Sequence, residues 1–126
     1  LGFEAASRGA ASVQLVESDA ALVAQLHTLQ QRLQATAMRV QRGDGVAALK
    51  QAAPASLDLV LLDPPFDSDL FNPALQAAAQ AVAADGFVYL EAPRAWNDEE
   101  LAAWGLAVHR HLKAGAVHAH LLRRVP

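Results

Sequence analysis

The stretch Leu57–Asp69, LDLVLLDPPFDSD, leaves this chain few choices of fold. Leu57, Leu59, Val60, Leu61 and Leu62 form an apolar run broken only by Asp58, the pattern of a central strand covered on both faces. Pro64 and Pro65 supply no backbone donors and fix their own φ angles. The strand therefore stops there, and Asp63 and the Pro64 carbonyl come to its carboxyl end. Open parallel α/β sheets bind their ligands at that edge. An exocyclic base amine is a poor nucleophile, because its lone pair is delocalised and its hydrogens need acceptors. Asp63 and the Pro64 carbonyl supply acceptors, and Phe66 supplies a plate on which a base can stack. Such chemistry needs no metal and no covalent intermediate. A bare Asp-Pro-Pro is equally a buried strand closed by a turn, with Asp63 capping the next segment. Phe66 and the rest of the chain favour the amine reading.

At 126 residues with 53% hydrophobic content, the chain is long enough for one domain with a real core. A net charge of −3 argues against a surface that coats nucleic acid generally. Arg110, Lys113, Arg123 and Arg124 are the candidates for a local basic patch, and an ordinary solvated strand surface explains them as well. The absence of cysteine, of a signal peptide and of a long uncharged apolar span points to a cytoplasmic protein that does not enter a membrane.

Strands and helices alternate along the chain. Residues Leu1 to Arg8 read as a helix already under way, stopped by Gly9. Val13 to Glu17 is a short strand ending in an acid, and Ser18 or Asp19 can cap the helix from Ala20 to Gln34. Leu22, Val23, Leu26, Leu29 and Leu33 recur there at helical spacing. Met38 to Gln41 is a third strand, broken by Gly43-Asp44-Gly45 ahead of a short helix, Val46 to Gln51. After the run at Leu57 come a helix over Leu70 to Ala83, a turn at Asp85-Gly86, and a strand from Phe87 to Glu91. Asn97 caps a short acidic helix, Asp98 to Trp104. Residues Gly105 to Arg124 form a hairpin turning at Ala114-Gly115, which sets His109, His111, His118 and His120 on one side. A wet sheet face explains those histidines better than a metal site, since no carboxylate or cysteine lies near them in sequence. The result is a mostly parallel sheet with an antiparallel strand at one edge.

The order LGFEAASRGA, VQLVES, RGDG, DLVLLDPPF, GFVYLE and a closing hairpin resembles the bacterial methyltransferases that act on N2 of a guanine in 16S ribosomal RNA. The resemblance covers essentially the whole chain, and FEAASRGA and DPPF are its most specific parts. It implies the Rossmann-like fold of S-adenosylmethionine-dependent methyltransferases. By position, it implies that Glu17, with Ser18 beside it, takes the ribose hydroxyls of S-adenosylmethionine. Asp44 and the backbone at Gly45 take the adenine. Asp63, Pro64, Pro65 and Phe66 form the catalytic motif, with Asp63 also bordering the cofactor. The implied partner is ribosomal RNA or a small-subunit assembly intermediate, and the implied state is a monomer in the cytoplasm.

Members of that family carry a first strand and a glycine-rich loop immediately before LGFEAASRGA, together with a basic N-terminal arm for RNA. None of these is in this sequence, so the chain reads as about the carboxyl-terminal four-fifths of a single catalytic domain. Without that strand its two neighbours, Val13 to Glu17 and Leu57 to Leu62, each lose a hydrogen-bonding partner. The expectation is weak S-adenosylmethionine binding by this polypeptide and strong binding by the complete protein, which calorimetry on both would test. Thr28 stands where the family commonly shows asparagine. Asp-Pro-Pro-aromatic signatures serve exocyclic amines generally, so adenine N6 and cytosine N4 remain alternatives, as does a nucleotide- or partner-binding module without catalysis.

Overall fold

The structure is a computed structural model that describes residues 12–36, 38–65 and 67–125. The helix expected over Leu1 to Arg8 lies outside the described residues, as does Phe66. The chain divides into two compact units, Leu1–Ala48 and Leu49–Pro126.

In the first unit β1 (Val13–Glu17) pairs in parallel with β2 (Met38–Arg42), Val13 opposite Met38 and Glu17 opposite Arg42. Helix α1 (Ala20–Leu33) makes the crossover between them. The Asp19 carboxylate accepts from the amides of Ala21 and Leu22, satisfying two of the donors that a helix start leaves free. Gln34, in the left-handed conformation at φ 51°, ends the helix. The Gln30 amide donates to the Met38 carbonyl at 2.6 Å, tying the helix to the start of β2. Within α1 only Val23 is buried, while Leu22, Leu29 and Leu33 are exposed. The apolar stripe is wider than a two-stranded sheet can cover, since strands stand only about 5 Å apart. Helix α2 (Gly45–Gln51) follows β2.

The second unit is a four-stranded sheet in the order β3-β4-β6-β5. β3 (Leu57–Leu62) and β4 (Val82–Ala92) are parallel, and β6 (Val117–Arg124) is antiparallel to β4 and to β5 (Leu106–Ala114). The reversed strand thus sits in the hairpin that closes one side of a mostly parallel sheet. β3 forms the opposite edge, where the sequence alone suggests a central strand covered on both faces. One of its faces, Val60 and Leu62, is buried, and the other leaves Leu59 and Leu61 exposed. Val60, Leu62, Val88, Leu90 and Leu122 make the buried face, against which lies the alanine-rich helix α3 (Phe71–Ala81). Small side chains let that helix approach closely. Where α3 ends, the Ala55 and Ser56 amides donate to the carbonyls of Gln80 and Ala81.

Asp85-Gly86 is not a turn. Both residues lie within β4, where the register with β3 jumps between Leu57–Val82 and Leu59–Phe87. A β-carbon at Gly86 would meet the Asp58 carbonyl oxygen at 2.7 Å, so the two backbones approach closely here and only glycine fits. Asn97 caps α4 (Asp98–Leu101) through a reciprocal capping box with Glu100, and a single 3-10 turn over Ala102–Trp104 continues it. The hairpin turns one residue later than the sequence suggests, at Gly115-Ala116, because Gly115 takes the left-handed position at φ 60°. Lys113 then pairs with His118 and His111 with His120, and a bulge between Val108 and Arg110 carries His109 away to contact the Phe87 ring. The four basic residues of the tail do not form one patch. Register places Arg110 and Arg123 on one face and Lys113 and Arg124 on the other, and Arg124 donates inward to the Val82 carbonyl. Among the described residues no helix is long and apolar enough to cross a membrane.

Candidate functional site

In the first unit the parallel pairing brings the ends of β1 and β2 side by side. One Glu17 oxygen accepts from the Asp19 amide at 3.2 Å, and the Glu17 carbonyl accepts from the Gly43 amide at 2.9 Å. The same Asp19 caps α1, so the carboxylate is held by a turn that the helix start already stiffens. Ser18 is exposed, and its carbonyl accepts from the Arg42 guanidinium at 3.4 Å. Asp44, two residues past Arg42, accepts from the Val46 amide at 2.9 Å and is exposed. A β-carbon at Gly45 would meet nothing within 4 Å, so open space borders this backbone. Glu17, Ser18, Asp44 and Gly45 thus gather at the carboxyl ends of two adjacent parallel strands, and among the described residues each of the two carboxylates accepts through one oxygen only.

In the second unit Asp63 follows β3 directly and is exposed, Pro64 is buried and Pro65 is exposed. The Pro65 carbonyl accepts from both the amide and the hydroxyl of Ser68, at 3.1 and 2.6 Å. That closes the Pro-Pro turn before α3 begins. Leu61 stands opposite Tyr89 and Leu62 opposite Leu90. Asp63 and Glu91 are the residues that follow this last pair, one acid just beyond β3 and the other near the end of β4. Partial burial, and then the charge of Glu91, push the Asp63 carboxyl above the usual carboxylate range. The Tyr89 hydroxyl donates to Glu91 Oε1 at 3.0 Å. Burial and this bond to Glu91 raise the phenol, which keeps its proton and its role as donor.

In the sequence Glu91 is only the last residue of FVYLE, with nothing beside it to suggest a role. The signal that finds it is the match of two acid-ended strands, DLVLLD and FVYLE, once they are set in parallel.

The segment after β4 is held from below by His120. Its Nε2 accepts from the Trp96 amide at 2.9 Å and its Nδ1 donates to the Leu90 carbonyl at 3.2 Å. Both ring nitrogens are occupied, so His120 has none left for a metal. His111 and His118 stack, their nitrogens 2.8 Å apart. Trp96 stacks on Phe71, and the Arg94 guanidinium lies 4.1 Å over the Trp96 ring while pairing with Glu100 at 2.7 Å. Beside the Pro-Pro turn, Ser68, Asp69, Phe71, Asn72, Arg94 and Trp96 line a shallow cavity of about 290 Å³.

Parallel strands ending in acids, a helical crossover and a reversed strand within the closing hairpin define a class, the Rossmann-like methyltransferase fold. The chain belongs to the family described as conserved hypothetical protein 95, which it matches over residues 1–123. An Escherichia coli protein, yhhF, described as a candidate methyltransferase, has a TM-score of 0.82 at 26% identity, with 99% of this chain and 70% of that chain covered. A Haemophilus influenzae protein described as a candidate methylase has a TM-score of 0.78 at 24% identity, over 99% of this chain and 80% of that one. TrmN of Thermus thermophilus has a TM-score of 0.76 at 20% identity, over 97% of this chain and 40% of that one. These last two similarities speak to fold alone. No curated protein matches the sequence.

Proposed function

We propose that this protein takes part in S-adenosylmethionine-dependent methyl transfer to the exocyclic N2 amine of a guanine in 16S ribosomal RNA, met as the RNA or as a small-subunit assembly intermediate. The observation that carries the reading is the exposed Asp63 carboxylate at the carboxyl end of a parallel strand, followed by a Pro-Pro turn closed by Ser68, in a chain of methyltransferase fold.

The residues present fit the cofactor. Glu17 spends one oxygen on the Asp19 amide and keeps the other for a ribose diol, while Asp44 and the open backbone at Gly45 suit an adenine. Ser18 borders the ribose. When bound, S-adenosylmethionine supplies a methyl group on a positively charged sulfur, a leaving group already activated. The protein's own contribution is positioning. Asp63 and the Pro64 carbonyl accept the two amine hydrogens, which turns the nitrogen lone pair away from the ring plane. Pro65 withholds a competing amide donor, and Phe66 is assigned the stacking role. Orientation and exclusion of water of this kind supply about 7–11 kcal/mol in well-aligned systems. As the nitrogen becomes cationic, its bond to Asp63 strengthens, and the raised affinity of that carboxylate for protons suits it to receive the one released.

Asp63→Asn in the full-length protein tests the reading. Calorimetry should show S-adenosylmethionine affinity nearly unchanged, and methylation of 16S ribosomal RNA should fall by orders of magnitude. Equal turnover in the two proteins refutes the role of Asp63, and mass spectrometry of nucleosides from the product identifies the methylated base.

A further inference from the structure

We propose that Glu91, held in place by Tyr89, is a specificity-determining acceptor that reads the N1–H of the target base. The proposal rests on the guanine reading above and says how guanine is told from adenine and cytosine. Leu62 and Leu90 face the buried side of the sheet, so Leu61, Tyr89 and Glu91 share the other face, where strand residues two apart point the same way. The register of β3 with β4 runs as far as Leu62 opposite Leu90, so Asp63 and Glu91 are the next residues along two neighbouring parallel chains. The Tyr89 hydroxyl engages Oε1 of Glu91 and leaves Oε2 without a partner among the described residues. Among the described residues no lysine or arginine pairs with either acid, and Arg94 pairs with Glu100 instead.

Two neighbouring acceptors with no cation paired to them among the described residues suit a ligand with two adjacent donors. On its pairing edge guanine presents N1–H beside the N2 amine. Adenine sets an acceptor, N1, beside its amine, and cytosine sets the acceptor N3 there. Asp63 alone serves any exocyclic amine. A second carboxylate accepts from guanine N1–H and repels the lone pair that the other two bases would bring. Sites built on such bonds reject analogues that lack the matching group by large factors.

The test uses the full-length protein and small-subunit particles carrying guanine or 2-aminopurine at the target position. 2-Aminopurine keeps the amine and replaces N1–H with a lone pair. The wild type should prefer guanine by about 100-fold in kcat/KM. Glu91→Gln, whose amide can donate to that lone pair, should lower guanine turnover about 10- to 100-fold and collapse the preference, with S-adenosylmethionine affinity unchanged. An unchanged guanine to 2-aminopurine ratio in Glu91→Gln overturns the proposal and leaves the guanine reading standing. Failure of the wild type to methylate guanine overturns both. Tyr89→Phe keeps the carboxylate and removes only its anchor, so it guards against a misfolded Glu91 variant. It should lower the ratio several-fold, and an unaltered ratio counts against the proposal. A preference that disappears with a chelator assigns the acid pair to a divalent cation and also overturns it.

Discussion

Replacing His120 with leucine should expose how the chain holds the segment after β4. The imidazole is fully buried, accepts from the Trp96 amide and donates to the Leu90 carbonyl. Leucine keeps most of the volume but neither bond. Each bond contributes about 1 kcal/mol net, and an amide left without a partner costs about 1–3 kcal/mol. The expected loss is about 2 kcal/mol at pH 7.5, a fall of about 1 M in the urea midpoint for an m-value near 2 kcal/mol/M. The pH dependence gives a second readout. Burial first, and then the nearby His111 and His118, hold His120 below the ordinary imidazole range against the bond to Leu90, so the native state binds fewer protons than the unfolded chain. Stability supplied by this group is complete above about pH 6.5. It is lost as pH falls toward the depressed native value, at up to about 1.4 kcal/mol per pH unit. His120→Leu should therefore lower the midpoint at pH 7.5 and flatten its decline between pH 6.5 and 5. Equal midpoints at pH 7.5, or an acid slope identical to that of the wild type, would refute the argument.

Gly86→Ala should cost about 1–3 kcal/mol, because its β-carbon would press on the Asp58 and Leu57 carbonyls, which cannot rotate away. Thermal denaturation measures the loss, and hydrogen exchange should place it at β3 and β4. Asp19→Ala removes the acceptor for two amides of α1 and should cost about 1 kcal/mol, read from the urea midpoint. Asn97→Ala breaks the capping box at the start of α4 with a similar loss, and a midpoint equal to the wild type would show that Glu100 and its Arg94 partner suffice.

Elements bounded by local chemistry are readable in the sequence. β1 and β3 fall where their apolar pattern and the following cap or prolines place them, and Asp19 and Asn97 mark helix starts because their carboxylate or amide oxygens satisfy free amides. Features that depend on a distant partner are not. Asp85-Gly86 has the composition of a turn, yet the close approach of β3 makes it part of β4. Two residues at the hairpin tip compete for the turn, and the left-handed Gly115 decides the register of every histidine behind it. Asp63 can be read because two prolines pin it to a strand end, while Glu91 needs the register of a strand far along the chain. The exposed leucines of α1 show the same limit, since a stripe says which face is apolar and not how much sheet there is to cover it.

The grip of His120 on Trp96 also fixes an order of assembly. His120 lies in β6, the last strand described, and the loop that it anchors precedes it by 24 residues. During synthesis the loop bearing Arg94 and Trp96 emerges first and has no imidazole to dock on until the hairpin has closed across β4. The cavity beside the Pro-Pro turn therefore matures late, and a ribosome stalled before Val117 would carry β3 and β4 with that wall still unformed.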